Sequence, residues 1–251
     1  MNSFDSHIND YLKGYLFENI GQNEPDSKYK LGIFIGKFKP PHVGHYNTLM
    51  GVLGDGSNVF STRYPQVIPD CVCDEALVII SSKSKVEDQN NDGIGMEFTG
   101  SLSKNVWELY VENTPAADKV DFKVGHPVLG AIEVIEQIRS DGNYNGIHVN
   151  DLNIRLFVGE EEGDDGEIDI ANTEKEMKRY SYIINNQDKL LGKEGSVDVC
   201  VMARSTSATV VREQILRIAV DGEDIETLQE NIPSHVDVMD FWNITKRSIV
   251  R

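Results

Sequence analysis

Five short apolar runs, separated by segments with helical periodicity, constrain the fold of this 251-residue chain more than any other feature. The runs are Leu31–Ile35, Ala76–Ser81, Val120–Val124, Ile154–Val158 and Val197–Met202. Each is rich in β-branched or aromatic residues and is too short for a typical helix, so each predicts a strand. The helical segments between them are His45–Leu53, Lys104–Asn113, Val128–Ser140 and Asn172–Asn185. This alternation predicts an α/β fold with a doubly wound, parallel, five-stranded sheet.

The segments outside this alternation divide the chain into a central domain and two flanking parts. Apolar residues at helical spacing between residues 4 and 20 predict an amphipathic helix that packs on the domain or on another subunit. The predicted parts are an N-terminal helix and connector at 1–30, the sheet domain at 31–220 and a helical C-terminal extension at 221–251. Gly54–Asp74 is predicted as a loop or small insertion beside the sheet, and Lys83–Gly95 as a polar loop.

The charge balance is strongly acidic, with 24 basic and 41 acidic side chains and a formal net charge of −17. Such a chain is poorly suited to nonspecific binding of nucleic acid or anionic membranes. An anionic small ligand would need a local cationic site, which makes clusters of Lys, Arg and His informative. No apolar stretch reaches the ~18 residues of a membrane span and the first residues lack a signal-peptide pattern, so a cytosolic location is expected.

Three cysteines, Cys71, Cys73 and Cys200, bear on redox chemistry and metal binding. They are too few for a disulfide framework, and the Cys-x-Cys pair lacks the second pair or nearby histidines that would complete a zinc site. We therefore expect reduced cysteines in or near strands, and no metal held by the protein alone.

A turn rich in Gly, Pro, Lys and His directly follows the first predicted strand. Its sequence is Gly36-Lys37-Phe38-Lys39-Pro40-Pro41-His42-Val43-Gly44-His45. A glycine-rich turn from a strand into a helix places free N–H groups and the positive end of the helix dipole where an anion can bind. His42 and His45 bracket the helix start and are expected to face the same anion. Gly44 removes a side chain where a nucleotide must approach the backbone.

This turn resembles the G-x-F-x-P-x-H-x-G-H signature of the nucleotidyltransferase superfamily. That superfamily includes nicotinamide mononucleotide and phosphopantetheine adenylyltransferases and small cytidylyltransferases, and every fixed position of the signature matches. The resemblance implies a Rossmann-like sheet over about residues 31–220. It also implies that His42 and His45 donate hydrogen bonds to the α-phosphate of a nucleotide. The nucleotide-binding residues that it implies in this turn are Gly36, Lys37, Phe38, Lys39, Pro40 and Gly44.

A second segment, after the fifth predicted strand, supports the same resemblance. Its residues Ser207-x-Thr209-x-x-Arg212 are similar to the superfamily's S-[ST]-T-x-x-R signature. Ala208 departs from the commoner Ser or Thr at the middle position, which removes one hydroxyl contact. Hydroxyls at a helix start and an arginine one turn further suit β- and γ-phosphates. Ser207 and Thr209 are therefore nucleotide-binding candidates, and Arg212 is a catalytic candidate. Arg204 either belongs to this loop or is a surface charge.

Weaker candidates lie at the ends of other predicted strands. Gly159 and Glu160 end the fourth strand, where members of the superfamily often contact the nucleotide through a glycine and an acidic residue. The acidic run from Glu160 to Asp169 fits no EF-hand spacing and is predicted as a solvated loop. The candidates for an acceptor pocket, each with capping or core packing as the alternative, are Ser81, Ser82, Lys104 and Trp107.

The resemblance implies transfer of a nucleoside monophosphate from an NTP to a phosphorylated small molecule, with release of pyrophosphate. Mg²⁺ is expected on the NTP, because it prefers phosphate oxygens and water to a dedicated protein cage. The Gly36-Lys37-Phe38 start with Pro40 resembles adenylyltransferases that act on nicotinamide mononucleotide more than cytidylyltransferases, which implies ATP as the donor and nicotinamide mononucleotide as the acceptor. The alternatives are a cytidylyltransferase that uses CTP, a non-catalytic nucleotide-binding module of this fold, and a fragment of a class I aminoacyl-tRNA synthetase. A homo-oligomer is left open, and no nucleic acid or membrane partner is expected.

Overall fold

The computed structural model describes residues 28–56, 59–61, 71–87, 94–160, 169–192, 195–203 and 208–250. The predicted N-terminal helix lies outside the described residues, as do Arg204, Ser207 and residues 161–168 of the acidic run. Within the described ranges, no helix is long and apolar enough to cross a membrane.

All five predicted strands form one parallel sheet. In chain order, the strands are β1 (Tyr29–Gly36), β2 (Glu75–Ser81), β3 (Lys85–Glu87), β4 (Gly95–Phe98), β5 (Val120–Gly125), β6 (Asn143–Tyr144), β7 (Ile147–His148), β8 (Leu152–Gly159), β9 (Ser196–Met202) and β10 (Ile249–Val250). The large sheet has the order β5-β2-β1-β8-β9, and each neighbouring pair in it is parallel. The prediction of an α/β fold with a Rossmann-like five-stranded sheet is confirmed.

Helices connect the strands of the large sheet. In chain order, those of the described residues are α1 (Val43–Val52), α2 (Gly100–Val111), α3 (Pro127–Asp141), α4 (Ile170–Lys178), α5 (Ser181–Asn185), α6 (Gln187–Leu191), α7 (Ala208–Asp221) and α8 (Val238–Thr245). The prediction of a single helix over Asn172–Asn185 is wrong, because the helix is interrupted at Arg179 and Tyr180, between α4 and α5. Tyr180 at this break is 6% exposed, and the turn keeps its ring in the core.

Hydrophobic cores cover both faces of the large sheet, because crossover helices of a parallel sheet pack on each side. On one face, α1, α2, α7 and α8 pack through fully buried residues that include Trp107 and Phe241. On the other face, α3, α5 and α6 pack through residues that include Ile135 and Ile183. We call the first of these the α1 face.

The order of the strands reverses beside β1. The chain passes from β1 through α1 to β2 on one side, and the later strand β8 pairs with the other side of β1. Phe34 of β1 is level with Phe157 of β8, so Gly36 and Gly159, each two residues further on, lie at the same carboxyl edge. In doubly wound sheets, ligands bind at this edge where the strand order reverses. A ligand is therefore expected between the ends of β1 and β8.

A small antiparallel sheet of β10, β4 and β3 joins parts of the chain that are far apart in sequence. Val86 pairs with Glu97, so the predicted polar loop at Lys83–Gly95 is wrong near its ends. Ile249 pairs with Met96, so the C-terminal extension ends in a strand that follows its helical part. Short strands such as these form by pairing with a segment that is distant in sequence, so local periodicity does not predict them.

Residues 59–61 of the insertion between α1 and β2 lie along β9, the edge strand of the large sheet. Phe60 forms an antiparallel bridge with Met202. The N–H of Ser61 donates to the carbonyl of Val201 at 3.0 Å. The segment predicted beside the sheet therefore covers part of its edge.

A disulfide adds a covalent bond between this insertion and β9. Cys71 is bonded to Cys200, whereas Cys73 is a buried thiol outside the disulfide. The expectation that all three cysteines are reduced is therefore wrong for this pair. The two partners are 129 positions apart, and only the folded chain brings them together.

Candidate nucleotide-binding and catalytic site

The turn after β1 depends on one glycine and one aromatic ring. Phe38 has a φ of 46°, in the left-handed region, and its buried ring folds back over Gly36. A Cβ at Gly36 would lie 2.5 Å from that ring, so glycine is required there. Phe38 also packs against Trp107 with ring centroids 5.4 Å apart, which anchors the turn in the core of the α1 face. The peptide that follows, between Lys39 and Pro40, is cis.

Side chains from other elements satisfy the backbone of this turn. Arg212 of α7 donates from Nη1 to the carbonyl of Lys39 at 2.7 Å. Tyr110 of α2 donates from Oη to the carbonyl of Pro41 at 3.1 Å. The buried ammonium of Lys39 donates to the carbonyl of Lys83, just after β2. The two signature-like segments are thus in direct contact, because the arginine of the second binds the backbone of the first.

His42 and His45 cap the helix that follows the turn. His42 is the N-cap residue of α1, and its Nδ1 accepts the N–H of Gly44 at 3.1 Å. Nδ1 of His45 accepts the N–H of His42 at 3.3 Å, which completes a reciprocal capping box. The two ring centroids are 3.8 Å apart. Because Nδ1 is an acceptor in each ring, a neutral imidazole at either position carries its proton on Nε2.

Burial favours the neutral form of both rings. Desolvation lowers the pKa of His42 to about 4. Desolvation, together with repulsion from His42, lowers the pKa of His45 well below its usual value of 6.5. His42 is fully buried, and its Nε2 has no hydrogen-bond partner among the residues that the structure describes. Because an unsatisfied buried donor is costly, this N–H is suited to a ligand.

The other positions of the turn differ in exposure. Lys37 is exposed, whereas Pro40 is buried. Gly44 is buried in the first turn of α1, where its N–H is occupied by His42. Gly36, Phe38 and Gly44 therefore shape the turn, and the direct nucleotide contacts implied for this segment stay predictions.

The start of α7 carries the described part of the second segment. Thr209 accepts a hydrogen bond from Nη2 of Arg212 at 3.0 Å. Arg212 is 8% exposed and links Thr209 to the carbonyl of Lys39. The structure thus places Thr209 and Arg212 beside the histidine-bearing turn.

The ends of β8 and β9 lie on the other side of the expected crevice. Gly159 is exposed at the end of β8, and the space that a Cβ would occupy there is open. Glu160 is 6% exposed, and its carboxylate accepts a hydrogen bond from the hydroxyl of Ser61. Ser61 could not be identified from the sequence, since nothing near it along the chain points to a carboxylate 99 positions away.

The four candidates for an acceptor pocket have different surroundings. Trp107 is fully buried beside the histidine pair, and its Nε1 has no hydrogen-bond partner within the described ranges. Ser81 is buried at the carboxyl end of β2, and Ser82 is exposed next to it. Lys104 forms an ion pair with Glu108 at 3.5 Å, with both side chains partly exposed on α2. Trp107 is near the turn through its ring contacts, and Ser81 and Ser82 are near it because Ile80 pairs with Gly36. Lys104 instead pairs with a residue of its own helix.

No group of three or more His, Cys, Asp or Glu side chains could hold a metal ion in the part of the chain that the structure describes. Around the turn the structure gathers imidazole N–H donors, an arginine and a lysine. This donor set suits an anion.

No protein-family model and no curated protein sequence matches this chain. Similar solved structures include a Plasmodium falciparum nicotinic acid mononucleotide adenylyltransferase complexed with NaAD, 11% identical over 87% of this chain and 98% of that chain, with a TM-score of 0.43. A Vibrio parahaemolyticus protein provisionally assigned as a nicotinate-nucleotide adenylyltransferase is 14% identical over 85% of this chain and 91% of its own, with a TM-score of 0.42. Thermotoga maritima TmcAL bound with alpha-thio ATP is 13% identical over 87% of this chain and 55% of its own, with a TM-score of 0.35. The similar structures thus include members of the superfamily that the two segments resemble, at values too low to transfer an activity or a substrate.

Proposed function

We propose that this chain is a nucleotidyltransferase that transfers AMP from MgATP to a phosphorylated small molecule and releases pyrophosphate. The observation that carries this proposal is the histidine pair at the start of α1. Each ring has Nδ1 engaged by the backbone, and its lowered pKa leaves a neutral Nε2–H donor. A pair of such donors at a helix start, beside the reversal of strand order, suits the α-phosphate of a nucleotide.

In the proposed reaction, an oxygen of the acceptor phosphate attacks the α-phosphorus while the bond from that phosphorus to the bridging oxygen of pyrophosphate breaks. Negative charge builds on the non-bridging oxygens of the α-phosphate. The Nε2–H groups of His42 and His45 donate to these oxygens more strongly in the transition state than in the ground state. Neither histidine gains or loses a proton, and catalysis rests on positioning and charge compensation.

Arg212, Thr209 and the first N–H groups of α7 are proposed to hold the β- and γ-phosphates. The guanidinium of Arg212 donates from one nitrogen to the carbonyl of Lys39 and from another to Thr209, so its planar fork is held beside the turn. Mg²⁺ is proposed to arrive with the triphosphate and to take its ligands from phosphate oxygens and water. The cationic groups and N–H donors around the turn suit phosphate oxygens, and the metal ion is proposed to be held by the substrate.

Gly159 and Glu160 are proposed to contact the nucleoside. The open space at Gly159 lets a flat ring or a ribose approach the backbone. The carboxylate of Glu160 is a hydrogen-bond acceptor that suits ribose hydroxyls. ATP as the donor and nicotinamide mononucleotide as the acceptor are proposed on the residues Lys37 and Pro40 of the turn.

A screen of pyrophosphate release, with each NTP against a panel of phosphorylated acceptors, tests this function. The panel includes nicotinamide mononucleotide, nicotinic acid mononucleotide and phosphopantetheine. With the right acceptor and Mg²⁺, ATP should react faster than CTP by about tenfold or more, equivalent to ~1.4 kcal/mol. A preference for CTP would change the donor but keep the reaction. NTP binding without pyrophosphate release in any combination would favour a non-catalytic nucleotide-binding module.

A further inference from the structure

Lys39 is a buried cation at the proposed site. It is 3% exposed, and in the described part of the chain its ammonium has one bond, to the carbonyl of Lys83. Desolvation lowers its pKa to about 8, so it is still protonated at pH 7. An ammonium has three N–H donors, and buried charges are usually paired with an opposite charge. An anionic ligand would supply the opposite charge that the ammonium of Lys39 lacks.

The segment that the Lys39 ammonium contacts carries cationic and hydroxyl side chains. From the last residue of β2 to the first of β3, the chain reads Ser81-Ser82-Lys83-Ser84-Lys85 and contains three hydroxyls and two further lysines. α2 begins beside it, since a Cβ at Gly100 would lie 2.7 Å from the carbonyl oxygen of Ser81. The first turn of α2 contains no acidic residue, so the positive end of its dipole is not offset there. We call Lys39, residues 81–85 and the start of α2 the β2 corner.

The strand order separates the β2 corner from the expected nucleotide crevice. The crevice lies between the ends of β1 and β8, with Gly36 and Gly159 at its edge. The side chain of Lys39 extends to the opposite side of β1, toward the end of β2. An ATP molecule in the crevice would therefore leave the β2 corner to the second substrate.

We propose that Lys39 and the β2 corner bind the phosphate group of the acceptor, whose oxygen attacks the α-phosphorus. This inference rests on the proposed function. It assigns Lys39 to the acceptor, whereas the signature implied that Lys39 binds the nucleotide. A phosphate and a triphosphate repel each other in an already acidic chain. A lysine between them offsets this repulsion and holds the attacking oxygen in place, which lowers the entropic part of the barrier.

The substitution Lys39→Met tests the inference, because methionine keeps much of the apolar stem and removes the charge. Lys178→Met, at the exposed end of α4, is the matched control. With the nucleotide site filled by a non-hydrolysable ATP analogue and Mg²⁺, inorganic phosphate serves as the probe in calorimetry. Its affinity should fall about tenfold or more in Lys39→Met, the loss of a charge-assisted hydrogen bond, and stay unchanged in Lys178→Met. The affinity for the ATP analogue alone should change by less than about threefold, which is under ~1 kcal/mol.

A thermal-unfolding measurement without ligand separates this role from a structural one. Removal of an unpaired buried charge should leave the melting temperature of Lys39→Met unchanged or raised. Equal phosphate affinity in wild type and Lys39→Met would overturn the inference. A parallel loss of ATP-analogue affinity would also overturn it, since Lys39 would then bind the nucleotide. A wild-type protein that does not bind the ATP analogue at all would instead refute the proposed function.

Discussion

The two sides of the proposed crevice are built in opposite ways. In the turn at 36–45, which we call the histidine wall, the hydrogen bonds that set the two histidine rings join residues two or three positions apart. On the other side, which we call the β8–β9 wall, Ser61 binds Glu160 across 99 positions and Cys71 bonds to Cys200 across 129. A compact group of residues leaves a recognisable signature, whereas scattered residues leave none. The histidine wall can therefore be predicted from the sequence, and the β8–β9 wall cannot.

We expect the residues of the histidine wall, rather than those of the β8–β9 wall, to stabilise the transition state. His45→Ala should lower kcat by roughly 10²–10³, about 3–4 kcal/mol, because its donor acts on the transition state. The KM for ATP should change much less. Steady-state kinetics measure both constants, and circular dichroism checks that the variant is folded. A rise in KM with an unchanged kcat would assign His45 to ground-state binding instead.

The β8–β9 wall should depend more on its covalent bond than on any single polar contact. Replacement of Cys71 and Cys200 together by Ser should lower the free energy of unfolding by about 2–5 kcal/mol, as removal of a disulfide typically does. Denaturant unfolding measures this loss, and Cys73→Ala is the control. Alkylation of the denatured, unreduced wild type should label one thiol of three. Labelling of all three thiols would show that the disulfide is absent.

The histidine wall should also make the fold sensitive to acid. The pKa of His42 is about 4 in the folded chain and 6.5 for an ordinary histidine, so between these pH values the unfolded chain binds more protons. The free energy of unfolding should therefore fall as pH drops from 6.5 to 4, by up to roughly 3 kcal/mol from this group, and be independent of it above 6.5.

The variant His42→Asn isolates this contribution. Asparagine keeps a side-chain acceptor for the helix cap but does not titrate, so its unfolding free energy should fall less steeply over the same pH range. Denaturant unfolding at a series of pH values measures both slopes. Identical slopes would mean that His42 titrates alike in the folded and unfolded chains.

The smallest effect is expected from the polar contact of the β8–β9 wall. Ser61→Ala removes the hydroxyl that donates to the carboxylate of Glu160 and should weaken ATP binding by about 1 kcal/mol, roughly fivefold. Calorimetry with ATP measures the change, and Ser140→Ala on the exposed surface of α3 is the control. If Ser61→Ala lowered kcat as much as His45→Ala, the assignment of catalysis to the histidine wall alone would be wrong.

The sequence by itself determined the elements whose signals are local. Five β-branched runs predicted the five strands of the large sheet, because a buried parallel strand needs a continuous apolar run. The turn from Gly36 to His45 was visible because its glycine, its prolines and its capping histidines lie within ten positions. For the same reason, the helix that starts at Val43 could be placed to within about two residues.

The tertiary structure alone decided which distant residues meet. The burial of Lys39, the bond from Arg212 to its carbonyl and the contact of Ser61 with Glu160 each join separate elements. The pairing of β10 with β4 has the same character. Such contacts form because burial of the apolar faces fixes how the elements pack, and only then do their polar groups find partners. That packing is a property of the whole chain, so no short segment of the sequence encodes it.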